Sequence, residues 1–198
     1  MERLTTAILE KTAALPEGVP VTAKMLLHLG NRAALDQALS RLVRRGKLLR
    51  AGRGVYVSPV ESRFGHRAPS VQKVVEELSS LRGETVVSSG ASSANALGLT
   101  TQVPTQTVYL TSGRSRKITL GKQVVHLQHA PAWQLTLAKE PAGEIIRALA
   151  WAGPTKVAQV LKEIETRVPR SEFQRISQQS SLLPLWMATA VSQTANHA

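Results

Sequence analysis

The chain has 198 residues, of which 42% are hydrophobic and 4% aromatic, so it is long enough for one large or two small domains with an aliphatic core. It contains no cysteine, which excludes disulfides, cysteine nucleophiles and zinc fingers. No stretch resembles a signal peptide or a membrane span, so we expect a soluble, cytoplasmic protein.

The net charge of +12 favours a polyanionic partner, usually nucleic acid. The charge is concentrated at the start of the chain, because residues 1–67 contain twelve Lys or Arg against five Asp or Glu. The first third of the chain is therefore expected to be a basic module.

Three helices are predicted in this first third. Helical spacing of apolar residues runs from Leu4 to Leu15, and Thr22 caps a short second helix that ends before Gly30. A third helix begins after Asn31, ends at Gly46 and has one apolar stripe, made of Leu35, Ala38, Leu39, Leu42 and Val43.

The opposite face of the third helix is small, polar and cationic. It carries Ala33, Gln37, Ser40, Arg41 and Arg44, with Asp36 at its border. Together with the tight Gly-Asn turn before it, this face is typical of a helix-turn-helix. In the major groove, glutamine suits adenine and arginine suits guanine.

A basic hairpin follows the third helix. Residues 47–50 and 55–57 are predicted strands, and Ala51–Gly54 is their turn, with glycines where positive φ is expected. This hairpin indicates a wing whose cations make groove-edge or phosphate contacts and position the domain without reading sequence. The expected DNA-binding residues are Arg32, Gln37, Ser40, Arg41, Arg44, Arg45, Lys47, Arg50 and Arg53. A solvated basic face or a protein-interaction module is the alternative.

The rest of the chain is predicted to be a separate domain. We expect a winged helix over residues 1–60, a Pro-containing linker over 61–69 and a mixed α/β domain over 70–198. Its pattern gives a first helix near Val71, strands near 84–89 and 107–113, two strands around Gly121 and Lys122 within 117–130, a helix capped by Ser88 or Ser89, and further helices after Trp133. Two of these later helices have predicted apolar faces, one made of Ile145, Ala148 and Leu149 and the other of Val157, Val160, Leu161 and Ile164. The fold class is therefore mixed α/β (α+β), with a small sheet and C-terminal helices.

The sequence contains none of the usual catalytic patterns. Gly90-Ala91-Ser92 lacks the final glycine of a nucleophile elbow, and no phosphate-binding loop occurs. His126 and His129 are three apart on a predicted strand, so they point to opposite faces and make a poor metal pair. We expect no enzyme activity, metal or cofactor, and we expect the three tryptophans to lie in the core.

A second basic surface is predicted around the segment SGRSRK. Its residues are Arg114, Arg116, Lys117 and Lys122. Three interpretations stay open: a second DNA contact, a patch for an acidic protein or RNA, and a solvated loop without a role.

Four segments resemble the AbiEi-like antitoxins of type IV toxin–antitoxin systems. They are LSRLVRRGKLLRAGRGVYV, PSVQKVVEEL, SGASSANALGLTTQVPTQTVYLTSG and HAPAWQLTLAKEPAGEIIRALAWAG, and they span residues 39–153. The resemblance implies a winged helix that represses its own operon at operator repeats, with Arg32, Gln37, Ser40, Arg41 and Arg44 in the recognition helix and Arg53 in the wing. It also implies a C-terminal domain that counters a cognate toxin, commonly a nucleotidyltransferase.

The resemblance assigns no residue to toxin neutralisation, and residues 154–198 fit it least well. Our leading hypothesis is a DNA-binding autorepressor that also acts as an antitoxin. The alternatives are an orphan transcriptional regulator and a basic interaction protein that binds an acidic toxin or RNA.

Overall fold

A computed structural model describes residues 2–63 and 65–196 of the chain. The chain combines helices with short strands, which confirms the predicted mixed α/β class. It divides into two units. The first unit comprises Met1–Glu84 and Arg116–His126, and the second unit comprises Thr85–Ser115 and Leu127–Ala198. The first unit is thus made of two separate stretches of sequence.

The first unit begins with the element order of a winged helix. Helix α1 (Glu2–Ala13), strand β1 (Val21–Thr22) and a 3-10 turn (Ala23–Leu26) precede helix α2 (Arg32–Arg44) and the strands β2 (Leu49–Gly52) and β3 (Val55–Val57). The three strands pair antiparallel in the order β1-β3-β2. The predicted second helix is therefore only a single 3-10 turn, and β1 was not predicted.

The apolar stripe of α2 forms part of the core of the first unit. Leu35 and Leu39 are fully buried, and Leu42 and Ala38 are also buried. These side chains pack with buried residues of the other elements, namely Ile8, Val21, Ala23, Leu26, Leu48 and Tyr56. The stripe predicted from helical spacing is confirmed.

The β2–β3 hairpin contains an irregularity next to its turn. Arg50 pairs with Tyr56 and Gly52 with Val55, so the register shifts between Arg50 and Gly52, as in a β-bulge. Gly54 has a φ of 70°, as expected for the turn, whereas Gly52 has no positive φ. The prediction that both glycines adopt positive φ was wrong for Gly52.

The segment predicted as a linker contains a hairpin of its own. Strands β4 (Val60–Ser62) and β5 (Gly65–Arg67) pair antiparallel, and helix α3 (Val71–Arg82) follows and ends at Gly83, whose φ is 62°. All of these residues belong to the first unit. The first unit therefore continues beyond the boundary at residue 60 that the composition indicated.

Glu17 ties this continuation to the start of the chain. Its carboxylate accepts hydrogen bonds from the backbone N–H of Ser70 at 3.0 Å and from Lys73 Nζ at 2.7 Å. Arg67 Nη1 adds a third contact at 3.3 Å. The bond from Lys73 and then that from Ser70 lower the pKa of Glu17 from 4.5 to about 2. These contacts hold α3 against the turn that follows α1.

The remaining four strands are hydrogen-bonded in the order β6-β7-β9-β8. They are β6 (Val86–Ser88), β7 (Thr107–Thr111), β8 (Arg116–Leu120) and β9 (Gln123–His129), and β6 runs antiparallel to β7. Gly121 and Lys122 join β8 to β9, with Gly121 at a φ of 62°, which confirms the predicted hairpin. Strand β8 and the first part of β9 belong to the first unit.

The second unit is mainly helical. Its helices are α4 (Gly90–Ala96), α5 (Ala132–Leu135), α6 (Pro141–Ala152), α7 (Val157–Glu165), α8 (Arg170–Gln178) and α9 (Leu185–Asn196). The predicted apolar faces of α6 and α7 are buried. Trp133 and Trp186 pack against this core, whereas Trp151 is 48% exposed, contrary to expectation. No helix in the described ranges is long and apolar enough to cross a membrane.

Candidate nucleic-acid interface

Helix α2 is fixed at its start and by its buried face. The side chain of Asn31 accepts a hydrogen bond from the backbone N–H of Ala34 at 2.9 Å, which satisfies one of the free donors of the first turn. Arg41 and Arg44 lie in the last turn, where positive charge interacts favourably with the helix dipole. The helix is therefore held so that one face points away from the core.

The outward face has the composition that the sequence predicted. Gln37, Ser40 and Arg44 are exposed, and Arg41 is half-buried. Together with Asp36 they line one shallow depression on the surface of the first unit. Hydrogen-bonding and cationic groups are thus presented side by side, as base edges and phosphates require.

Arg32 and Asp36 form an ion pair on the same helix. Arg32 Nε lies 2.9 Å from Asp36 Oδ2, and both side chains are about half exposed. Such an exposed pair contributes roughly 0.3–0.5 kcal/mol to the helix. Its main consequence is that Asp36 offsets the charge of Arg32, so the first turn of α2 is less cationic than the last.

The wing places further cations beside the helix end. Arg45 and Lys47 follow α2 and are exposed, as are Arg50 on β2 and Arg53 at the hairpin tip. Arg50 Nε donates to the carbonyl oxygen of Gly52 at 3.4 Å, which directs its side chain along the wing. All nine residues predicted to bind DNA lie in the first unit.

The four residues of the predicted second basic surface are divided between the two units. Arg114 belongs to the second unit, whereas Arg116, Lys117 and Lys122 belong to the first. Arg116 is engaged by Glu84 through two contacts, of 3.1 and 2.5 Å, and both side chains are mostly buried. Sequence spacing gave no sign of this pair, because its members are 32 residues apart.

A polar cluster in the second unit was also missed from the sequence. The hydroxyl of Ser88 donates to the carboxylate of Glu144 at 2.8 Å, and Arg147 Nη2 donates to the same carboxylate at 2.8 Å. Burial raises the pKa of Glu144, but the bonds from Ser93, Arg147 and Ser88, with the charge of Arg147, outweigh it and lower the pKa below 4.5.

The stretch SGASSANALGL is explained by packing in the second unit. Ser89 caps α4, which confirms one of the two predicted caps, and Asn95 donates to the carbonyl oxygens of Thr100 and Gln102. Gly90 allows α4 to approach α6, since an added Cβ would lie 2.6 Å from the carbonyl oxygen of Arg147. Each of these residues has a structural task within this unit.

His126 and His129 lie on β9, where sequence predicted a strand. His129 Nδ1 is hydrogen-bonded to the carbonyl oxygen of Gly113 at 2.9 Å. Across residues 2–63 and 65–196 no three His, Asp or Glu side chains gather into a possible metal site.

The first unit has the element order and strand pairing expected of a winged helix, and the second unit is mainly helical. The chain belongs to the DUF6088 family, a family of unknown function, whose model matches residues 7–176. Searches of curated proteins and of solved structures gave no match.

Proposed function

We propose that this chain is a sequence-specific DNA-binding protein that represses its own operon. The observation that carries the proposal is the outward face of α2, where Gln37, Ser40 and Arg44 are exposed directly opposite the buried stripe. A helix held by its apolar side and open on a polar, cationic side can enter a major groove, whose width admits an α-helix. Arg53 at the wing tip is suited to a neighbouring phosphate.

The charge distribution supports the same partner. The first unit contains 17 Lys or Arg and 8 Asp or Glu, a net charge of +9, whereas the second unit contains 8 and 5, a net charge of +3. The first unit therefore carries most of the field that attracts a polyanion. We expect binding to weaken steeply with salt, because each phosphate contact adds about 0.9 to the log–log slope.

The second part of the proposal concerns the second unit, to which we assign the antitoxin role. It rests on the resemblance of residues 39–153 to the AbiEi-like antitoxins, which indicates a cytoplasmic partner toxin of the nucleotidyltransferase class. The protein would act on this partner as a binding protein and not as an enzyme. Co-expression with the product of the adjacent gene, scored by growth, tests this part separately.

The DNA-binding part is tested with the duplex that lies directly upstream of the gene for this chain. Its affinity is compared with that for a shuffled duplex of the same length and base composition, at about 150 mM salt. We expect specific binding to the upstream duplex, and we expect Arg44→Ala to weaken it by about 1–3 kcal/mol if the guanidinium contacts a guanine.

The matched control is Arg170→Ala, which removes the same charge from an exposed position of the second unit. The free energy of unfolding of both variants should lie within about 0.5 kcal/mol of that of the wild type, because both side chains are exposed. Equal affinity for the upstream and shuffled duplexes would exclude a specific repressor. Equal losses in the two variants would show that net charge alone drives binding.

A further inference from the structure

The β8–β9 hairpin is part of the winged-helix unit although it lies far along the sequence. Residues 116–126 belong to the first unit, and β8 lies against β2, the first strand of the wing. Arg116 at the start of β8 holds Glu84 through two contacts with little solvent exposure. A paired and largely desolvated arginine has a fixed geometry, so the hairpin is anchored to the unit at its base.

The two faces of β8 differ in the way a half-buried strand requires. Ile118 and Leu120 are buried, whereas Lys117 and Thr119 alternate with them and are exposed. Lys122, in the two-residue turn, is exposed as well. Strand β2 shows the same arrangement, because Arg50 is exposed and Ala51 is buried. Neighbouring strands thus each present a cation to solvent.

Two of the three positive charges of the hairpin, those of Lys117 and Lys122, are not offset by an ion pair among the described residues. Residues 116–126 contain three basic residues and no acidic ones. In the part of the chain that the structure describes, Glu84 pairs with Arg116, and neither Lys117 nor Lys122 has an ion-pair partner. These two lysines are therefore available to an anion from outside.

We propose that Lys117 and Lys122 bind backbone phosphates of duplex DNA, and so extend the contact made by α2 and the wing into flanking DNA. This inference rests on the proposed DNA-binding function. Ammonium groups on long side chains contact phosphates as point charges and read no bases. The hairpin would then add affinity and salt dependence but no sequence preference.

The composition of the hairpin favours a duplex over single-stranded RNA. Proteins that hold unpaired bases place aromatic side chains beneath them, and residues 116–126 include no Phe, Tyr or Trp, while their one histidine, His126, is half-buried. The exposed Lys117 and Thr119 of β8, with Lys122 in the turn that follows, are suited instead to the regular phosphates of a duplex backbone. The adjacent wing supplies a duplex contact of the same kind.

The experiment compares two double variants of the full chain that carry the same net charge. Lys117→Gln with Lys122→Gln removes the proposed contacts, and Lys139→Gln with Lys162→Gln removes two exposed lysines of the second unit. Each is titrated with the upstream duplex between about 50 and 300 mM salt. We expect the hairpin variant to lose about 1.8 from the log–log slope, and about 30-fold in affinity near 150 mM salt.

The upstream-to-shuffled affinity ratio should stay unchanged in the hairpin variant, and hydroxyl-radical protection should shrink at the outer edge of the footprint. Equal losses of duplex affinity in both double variants, or no loss of affinity in either, would overturn the inference. Loss of a co-purifying RNA or acidic protein with unchanged DNA affinity would overturn it too. If Arg44→Ala abolishes binding while the hairpin variant binds normally, only this inference fails. If the wild type binds no duplex, the proposed function fails.

Discussion

Arg147 is fully buried in the second unit, and its Nη2 donates to Oε1 of Glu144, three residues earlier on α6, at 2.8 Å. The same carboxylate accepts the hydroxyl of Ser88 from β6. Nε and Nη1 of Arg147 have no hydrogen-bond acceptor among the described residues. The buried cation therefore depends on Glu144 for its compensating charge.

Glu144→Gln should destabilise the protein, because it leaves the buried guanidinium without an opposite charge. A loss of about 3 kcal/mol in the free energy of unfolding is expected, at the low end for a buried pair since Glu144 is itself 33% exposed. Urea unfolding measures it. Glu165→Gln, on the exposed side of α7, is the control and should change stability by less than about 0.5 kcal/mol. Similar midpoints for the two variants would contradict the role given to Glu144.

Gly90→Ala should separate α4 from α6. The new Cβ would lie 2.6 Å from the carbonyl oxygen of Arg147 and 2.8 Å from Cβ of Trp151, and neither atom can move without its helix. We expect a cost of about 1–3 kcal/mol, measured by thermal unfolding. Gly52→Ala is the matched control, because a Cβ there meets nothing within 4 Å and φ is not positive. The prediction is wrong if the two variants melt together.

Glu17 should make the first unit sensitive to acid. Its pKa in the folded protein is about 2, below the ordinary 4.5, so its contribution to stability is complete above about pH 4.5 and is lost as the pH falls toward 2. Glu17→Gln should therefore be less stable than the wild type at neutral pH, and the gap should close between pH 4.5 and 2. Urea midpoints across this range provide the measurement, with Glu10→Gln at a solvent-facing position as the control. A gap that stays constant would refute the assignment.

Arg53→Ala and Gln37→Ala should weaken DNA binding in different ways. Arg53 lies at the wing tip, so its loss should lower affinity for upstream and shuffled duplexes alike and reduce the salt slope by about 0.9. Gln37 lies on the outward face of α2. Its loss should reduce the difference in binding free energy between the upstream and shuffled duplexes by about 1–3 kcal/mol and leave the salt slope unchanged. Fluorescence anisotropy at several salt concentrations separates these outcomes. An exchange of the two behaviours would mean that the helix and wing are docked differently.

The helix α2 was predictable because a helix is defined by contacts within a few residues. The spacing of Leu35, Ala38, Leu39 and Leu42 gave both its existence and its buried face, and Asn31 and Gly46 marked its ends. The same local rules gave the β8–β9 turn at Gly121 and the cap at Ser89. These features need no knowledge of the rest of the chain.

The missed features depend on partners that are distant in the sequence. Strand β1 has only two residues, and it exists because Val21 pairs with Tyr56. Glu17 binds residues more than fifty positions later, and Arg116 binds Glu84. For the candidate site, sequence indicated the outward residues of α2, but it could not show that Arg116 is occupied while Lys117 and Lys122 remain exposed.

The first unit is built from two separate stretches of sequence, and this has a consequence for its folding during synthesis on the ribosome. Strand β2 meets its neighbour β8 only after residues 85–115, which belong to the second unit, have emerged. A fragment that stops at residue 84 would carry the winged helix but leave β2 uncovered and Glu84 without its arginine. The nascent chain thus cannot complete its first unit until residue 126 has left the exit tunnel, and by then residues 85–115 of the second unit have already emerged.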